Sequence, residues 1–137
     1  MSSPAEIRAA LATYITANVP GLRGLTDPGT IANPPVAVVL PAQGTYIDYT
    51  VALNTGITDV NLRVVILVSR ASERVALPLL DDYLDPHSGV PAAILKDPTL
   101  GGVVDYVVPV EAIVPGDITW AGVEYLGAEI VCRAGAE

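Results

Sequence analysis

Residues 62–69 read LRVVILVS, a run of β-branched and aliphatic side chains broken by a single arginine. The composition predicts a strand, and the lack of alternation predicts one buried on both faces, as happens in the middle of a sheet. Such a strand needs a partner on each side and cover above and below. It therefore commits the chain to a sheet with helices packed on it, and the remaining residues have to supply those parts.

They do so in a legible order. Ser3-Pro4-Ala5-Glu6 has the form of a capping box with proline at the first helical position, and Ile7, Ala10, Leu11, Tyr14 and Ile15 follow at helical spacing. Val19-Pro20-Gly21 breaks the pattern, so this helix is expected to stop near Asn18, and residues 21–35, rich in Gly, Pro, Asn and Asp, are expected to form a loop. Residues 36–40 read as a short strand ended by Pro41. Residues 45–53 alternate and read as another, with Ile47, Tyr49, Val51 and Leu53 on its buried face and a turn at Asn54-Thr55-Gly56.

A second helix is predicted from about Ser72, carrying Val75, Leu79, Leu80 and Tyr83 inward, bent by Pro78 and ended by Asp85-Pro86. Ser88 is placed as the cap of a third helix over residues 90–96, which stops before Asp97-Pro98, and Gly101-Gly102 then turns the chain. Residues 103–114 and 118–133 read as a long antiparallel hairpin turning at Pro115-Gly116-Asp117. Within it Glu124 and Glu129 fall on opposite faces, with Gly127 between them as a bulge. No internal repeat occurs. The expected fold is one domain over residues 1–137, of the α+β class, with a mixed or antiparallel sheet of about five strands and helices packed on it.

Composition narrows the function classes. Residues counted as hydrophobic make up 51% of the chain and charged residues 16%, against roughly 25% charged in an ordinary soluble domain, so apolar surface is expected to be left for neighbours to cover. Fifteen acids against seven bases give a net charge of -8, with Lys96 the sole lysine, which excludes phosphate binding as the main task. No apolar run reaches the eighteen residues of a membrane span, and the first residues lead into an amphipathic helix instead of a secretory signal, as expected of cytoplasmic synthesis. Cys132, the single cysteine, is expected to be a small buried hydrophobe in a strand.

The strongest candidate for chemistry is DDYLDPHSG, residues 81–89, which gathers Asp81, Asp82 and Asp85 with the only histidine, His87. Asp81 and Asp85 at i, i+4 have the spacing of a hard-cation pair, but Pro86 stops the helix before His87 and no second acidic cluster completes a shell. A solvated acidic helix end is the expected reading. Ser69, Ser72 and Ser88 lie outside any Gly-x-Ser-x-Gly elbow, Gly101-Gly102 lacks the spacing of a phosphate loop, and Trp120, Tyr106 and Tyr125 read as cross-strand packing. No catalytic, cofactor-binding or metal-binding residue is assigned, and the chain is expected not to be an enzyme.

Three stretches, SRASERVALPLLDDYLD (69–85), AAILKDPTLGGVVDYVVPV (92–110) and GVEYLGAEIVCRA (122–134), resemble in phrase and order the small tail-terminator (tail-completion) and neck proteins of long-tailed bacteriophages, particularly those of actinobacterial hosts. The resemblance covers most of the chain from Ile7 onward. It implies a tail-terminator-like α+β subunit that forms a homohexameric ring at the head-proximal end of the tail tube and ends tube polymerisation. It also implies a virion protein at the head–tail junction, whose partners are the tail tube protein and the head connector or head-closure protein. DNA would pass through the lumen without sequence-specific binding, and neither cofactor nor membrane is involved. The acidic balance suits such a lumen. Residues 21–35 and 54–59 are the expected contacts with tube or neighbour, through a hairpin or loop packing on the next sheet. Two further readings are a different neck or tail subunit, either head-closure or tube protein, and, more remotely, a small metal- or ligand-binding domain around Asp81, Asp85 and His87.

Overall fold

In a computed structural model, which describes residues 3–26, 35–47, 49, 58–70, 77–120 and 122–136, the strand expected at 62–69 lies in the middle of a five-stranded sheet. The elements in chain order are α1 (Pro4–Asn18), β1 (Arg23–Leu25), β2 (Val36–Pro41), β3 (Thr58–Arg70), α2 (Leu77–Leu84), α3 (Val90–Lys96), β4 (Tyr106–Trp120) and β5 (Val123–Ala136). The sheet order is β1-β2-β3-β5-β4, with β1 parallel to β2 and every other pair antiparallel. The domain is α+β with a mixed sheet. No helix among the described residues is long and apolar enough to cross a membrane.

The first helix starts as its sequence dictates. Ser3 Oγ accepts from the Glu6 amide at 3.2 Å and Glu6 Oε1 accepts from the Ser3 amide at 3.4 Å, a reciprocal cap that stabilises a helix start by about 1 kcal/mol. Ile7, Leu11, Ala12 and Ile15 form the buried stripe. Thr16 then ties the helix to the sheet: its hydroxyl donates to the Ala12 carbonyl and accepts from the Gly24 amide at 2.8 Å. A Cβ on Gly24 would lie 2.1 Å from the Ala12 carbonyl oxygen, so β1 sits against α1 at a distance that only glycine tolerates. This short parallel strand falls inside the stretch expected to be all loop.

Alternation along the strands divides the core into two unequal parts. Leu62, Val64 and Ile66 of β3, with Leu126, Ala128, Ile130 and Cys132 of β5, face α1, α2 and α3 in one large cluster. On the opposite face Val36, Val38, Val65, Leu67 and Tyr125 form a smaller cluster, against which Leu25, Leu40, Ile118, Trp120 and Val123 pack. No helix among the described residues contributes to that second cluster. The run of β3 is thus covered on both faces as expected, by helices on one and, on the other, by side chains of neighbouring strands.

Farther along, the second face turns polar. Arg63 meets Glu129 at 2.8 Å and also donates to the Pro41 carbonyl, while Arg133 grips the carboxylate of Asp59, which is only 3% exposed. A buried carboxylate needs such a partner, since an unpaired one costs several kcal/mol. Asp59 is thus a strand residue with a committed partner, not part of an exposed turn.

The hairpin exists but turns elsewhere than expected. Trp120 pairs with Val123 across Gly122, whose φ is 80°, whereas Gly116 lies inside β4 with φ 131° at a register shift between Ile113 and Gly116. A second shift separates Pro109 from Glu111, and a third lies on β3 between Leu67 and Ser69. Gly127 is therefore not itself a bulge. Strands on both sides bulge near it, and a Cβ there would sit 2.1 Å from the Ile66 carbonyl oxygen. Because β5 pairs with β3 from Tyr125 to Ala136, the hairpin lies within the sheet and is not a free arm.

Smaller differences have local causes. Tyr49 is 70% exposed instead of buried, and Ile47 makes a single bridge to Val60; residues 48 and 50–57, including Val51 and Leu53, lie outside the described residues. In α2, Leu80 and Tyr83 are buried but Leu79 is exposed, and Ser72 and Val75 lie outside the described residues. The cap of α3 is Gly89, with no side-chain bond from Ser88, because a Cβ at that position would fall 2.3 Å from the Tyr83 carbonyl oxygen. After α3 the Asp97 carboxylate accepts from the Thr99 hydroxyl at 2.6 Å and from the Gly101 amide at 2.9 Å, bonds that hold it below the usual carboxylate range. Leu100 is buried there at φ 51°, followed by left-handed Gly101 and Gly102.

Candidate assembly surface

The acidic cluster resolves into a helix stop. Asp81 and Asp82 are exposed on α2, and Asp85 Oδ1 accepts from the His87 backbone amide at 2.7 Å, closing a turn that leaves the imidazole in solvent. Among the described residues no three His, Cys, Asp or Glu side chains converge on a point that would hold a metal ion. Cys132 lies fully buried in β5, and desolvation pushes its thiol up to about 12, which keeps it protonated. Ser69 is buried with its hydroxyl on the Arg70 carbonyl, and Ser88 is exposed.

The three hairpin aromatics separate. Trp120 and Tyr125 join the second cluster near the turn, while the Tyr106 ring lies over Gly135 at the other end of β4, where a Cβ would approach it to 2.4 Å. Burial, and then the carboxylate of Asp59 beside it, raise the Tyr106 phenol above its ordinary value. These are packing contacts with no shared pocket.

What remains open is the outer edge of the sheet. On β4, Val108, Val110 and Ile113 are 46%, 61% and 37% exposed, and Leu95 of α3 is 57% exposed. Between Leu95 and Val110 runs a groove of about 310 Å³ lined also by Leu84, Pro91 and Ala112, with Glu111 as the charged side chain in its wall, whereas Val108 and Ile113, opposite Arg133 and Glu129, do not line it. Pro109, Pro115 and the two register shifts interrupt the free backbone edge of β4, which opposes addition of another strand. Contact along this edge therefore has to come from side chains. The sequence signal was VVPVEAIVP, in which apolar residues occupy both parities of a strand that turns out to be an edge.

Acids outnumber bases along the hairpin by four to one. β4 carries Glu111 and Asp117 and no base, and β5 carries Glu124, Glu129 and a single base, Arg133, held by Asp59. Of the contact segments expected from sequence, Arg23–Leu25 is strand β1, while residues 27–34 and 54–57 lie outside the described residues. No protein-family model matches the chain, and no curated protein matches it.

Proposed function

We propose that the protein is a structural subunit of a long-tailed phage virion, a tail terminator that closes into a ring at the head-proximal end of the tail tube and joins the tail to the head connector. The observation that carries this reading is the apolar outer edge, where Val108, Val110, Ile113 and Leu95 stand in solvent on a domain whose interior is otherwise filled. Exposed apolar surface of this kind marks a protein contact. The acid-rich hairpin supports the same reading, because a channel wall without free bases lets duplex DNA slide past. The resemblance in sequence to tail-terminator and neck proteins supplies the place of the ring in the virion.

Native mass spectrometry over a range of concentrations, paired with negative-stain microscopy, tests the proposal. The expected result is one closed species of fixed subunit number with an open centre, which binds the end of a tail tube. Open-ended tubes built from this chain alone would move the assignment to the tube subunit. A monomer at every concentration, with or without tubes, would remove the structural role.

A further inference from the structure

We infer that the groove between the exit of α1 and the start of α3 binds the carboxylates of an acidic peptide segment on a partner protein. The inference is independent of the ring reading, because it uses neither the β4 edge nor the closure of copies on one another.

The groove, about 260 Å³, is lined by Asn18, Val19 and Pro20 on one side and by His87, Ser88 and Lys96 on the other. The chain has one histidine and one lysine, and both stand here, in a protein of net charge -8. No acid lines this groove, whereas Glu111 lines the one beside Leu84 and Asp97 the one beside Tyr14. Among the described residues, the His87 imidazole, the Ser88 hydroxyl and the Lys96 ammonium have no partner within the chain. The acids nearest in sequence are engaged elsewhere. Asp85 accepts from the His87 backbone amide at 2.7 Å, and Asp97 accepts from the Thr99 hydroxyl at 2.6 Å and the Gly101 amide at 2.9 Å. Two bases and a hydroxyl around one hollow are the donor set of an oxyanion.

The walls are held in place without a ligand. Tyr14 donates to the Ala93 carbonyl at 2.7 Å, which ties α1 to α3, and Gly89 packs on the Tyr83 carbonyl, which ties the His87 turn to α2. His87 precedes α3 and Lys96 ends it, and the seven residues of that helix rise about 10 Å. Bases spaced along a groove favour a chain that bears several carboxylates over one small ion. No arginine lines the groove to supply the planar fork that suits phosphate, and Val19 and Pro20 offer apolar surface to the stem of an acidic side chain. The charged side chains on the elements around His87 are Asp85 in its own turn, Asp81 and Asp82 on α2 and Lys96 on α3; the α1 wall brings Asn18 and no charge.

The test uses the full chain labelled with carbon-13 and nitrogen-15, whose single histidine gives a single imidazole signal. End-blocked tetraglutamate at about pH 5.5, where an imidazole is charged, should shift that signal saturably, and affinity should fall about threefold at about pH 8.5, where it is neutral. Lys96→Gln should weaken binding about threefold, and His87→Gln, followed through the Ala92 and Ala93 amides, should remove the pH dependence. Both positions are exposed, so the variants should keep the wild-type circular dichroism. Should either variant unfold, the pH comparison on the wild type still decides. The inference is wrong if no saturable shift occurs, if sodium chloride at equal ionic strength reproduces it, or if both variants bind like the wild type at both pH values. Tighter binding of inorganic phosphate than of tetraglutamate would also overturn it, by making this a phosphate site. None of these results touches the ring reading, which stands or falls on subunit number.

Discussion

Glu129 and Ile130 are neighbours in β5 and look out on different worlds. Ile130 is 1% exposed and points into the cluster sealed by three helices, while Glu129 crosses the open face to Arg63 at 2.8 Å. Full burial of an isoleucine side chain is worth about 1.5–3 kcal/mol, whereas a partly exposed ion pair contributes roughly 0–1 kcal/mol. The sheet therefore draws its stability from one side. The other side is held by a small strand-on-strand cluster and by matched charges, and it is the side on which change is tolerated.

The largest expected effect comes where both faces meet, at Gly127. Gly127→Val drives a side chain into the Ile66 backbone, and a loss above about 4 kcal/mol, seen as failure to accumulate folded protein, is expected. An unchanged melting temperature would disprove the close approach of β5 to β3. Next, Ile130→Ala should destabilise by about 2–5 kcal/mol in urea titration. A loss no greater than that of Glu129→Ala would break the contrast between the faces.

Asp59→Asn probes a deeply buried charge on the open face, and about 1–3 kcal/mol is expected, since Arg133 would lose its counter-charge. The Cys132 thiol offers a pH readout. Its folded value, about 12, stands above the ordinary 9.0, so between these values the unfolded chain releases a proton that the folded chain keeps. Stability from this group is intact below pH 9 and falls by at most about 1.4 kcal/mol per unit as pH rises toward 12. Cys132→Val should flatten that slope, and an equal slope in both proteins would place the thiol in contact with solvent. The smallest effect belongs to the Arg63–Glu129 pair, whose coupling in a double-mutant cycle should stay below about 1 kcal/mol and shrink in salt.

The elements that sequence revealed were those whose information is local. The Ser3–Glu6 cap and the spacing of Ile7, Leu11 and Ile15 specify α1, and α3 occupies Val90–Lys96 as its flanking prolines and Asp97 require. The hairpin turn was misplaced because Pro115-Gly116-Asp117 has the residues of a turn, and Gly116 does adopt a left-handed φ, but in a bulge. Only pairing with β5 distinguishes the two, and that pairing is not local. The same holds for β1, three residues whose strand character comes from Gly24 lying under Ala12. The outer edge was hidden for a related reason: Val110 is apolar in any register, and its exposure follows from β4 being last in the sheet.

The order β1-β2-β3-β5-β4 has a consequence for how the domain comes into being. β5 follows β4 in the chain yet lies between β4 and β3, with contacts running from Arg70–Tyr125 to Thr58–Ala136. While the polypeptide is being synthesised, the flank of β3 therefore waits, greasy and unpaired, through the making of two helices and a strand. Pairings between such distant segments form late, so the nascent subunit has a window in which chaperone binding or a premature encounter with a sibling chain competes with its own completion.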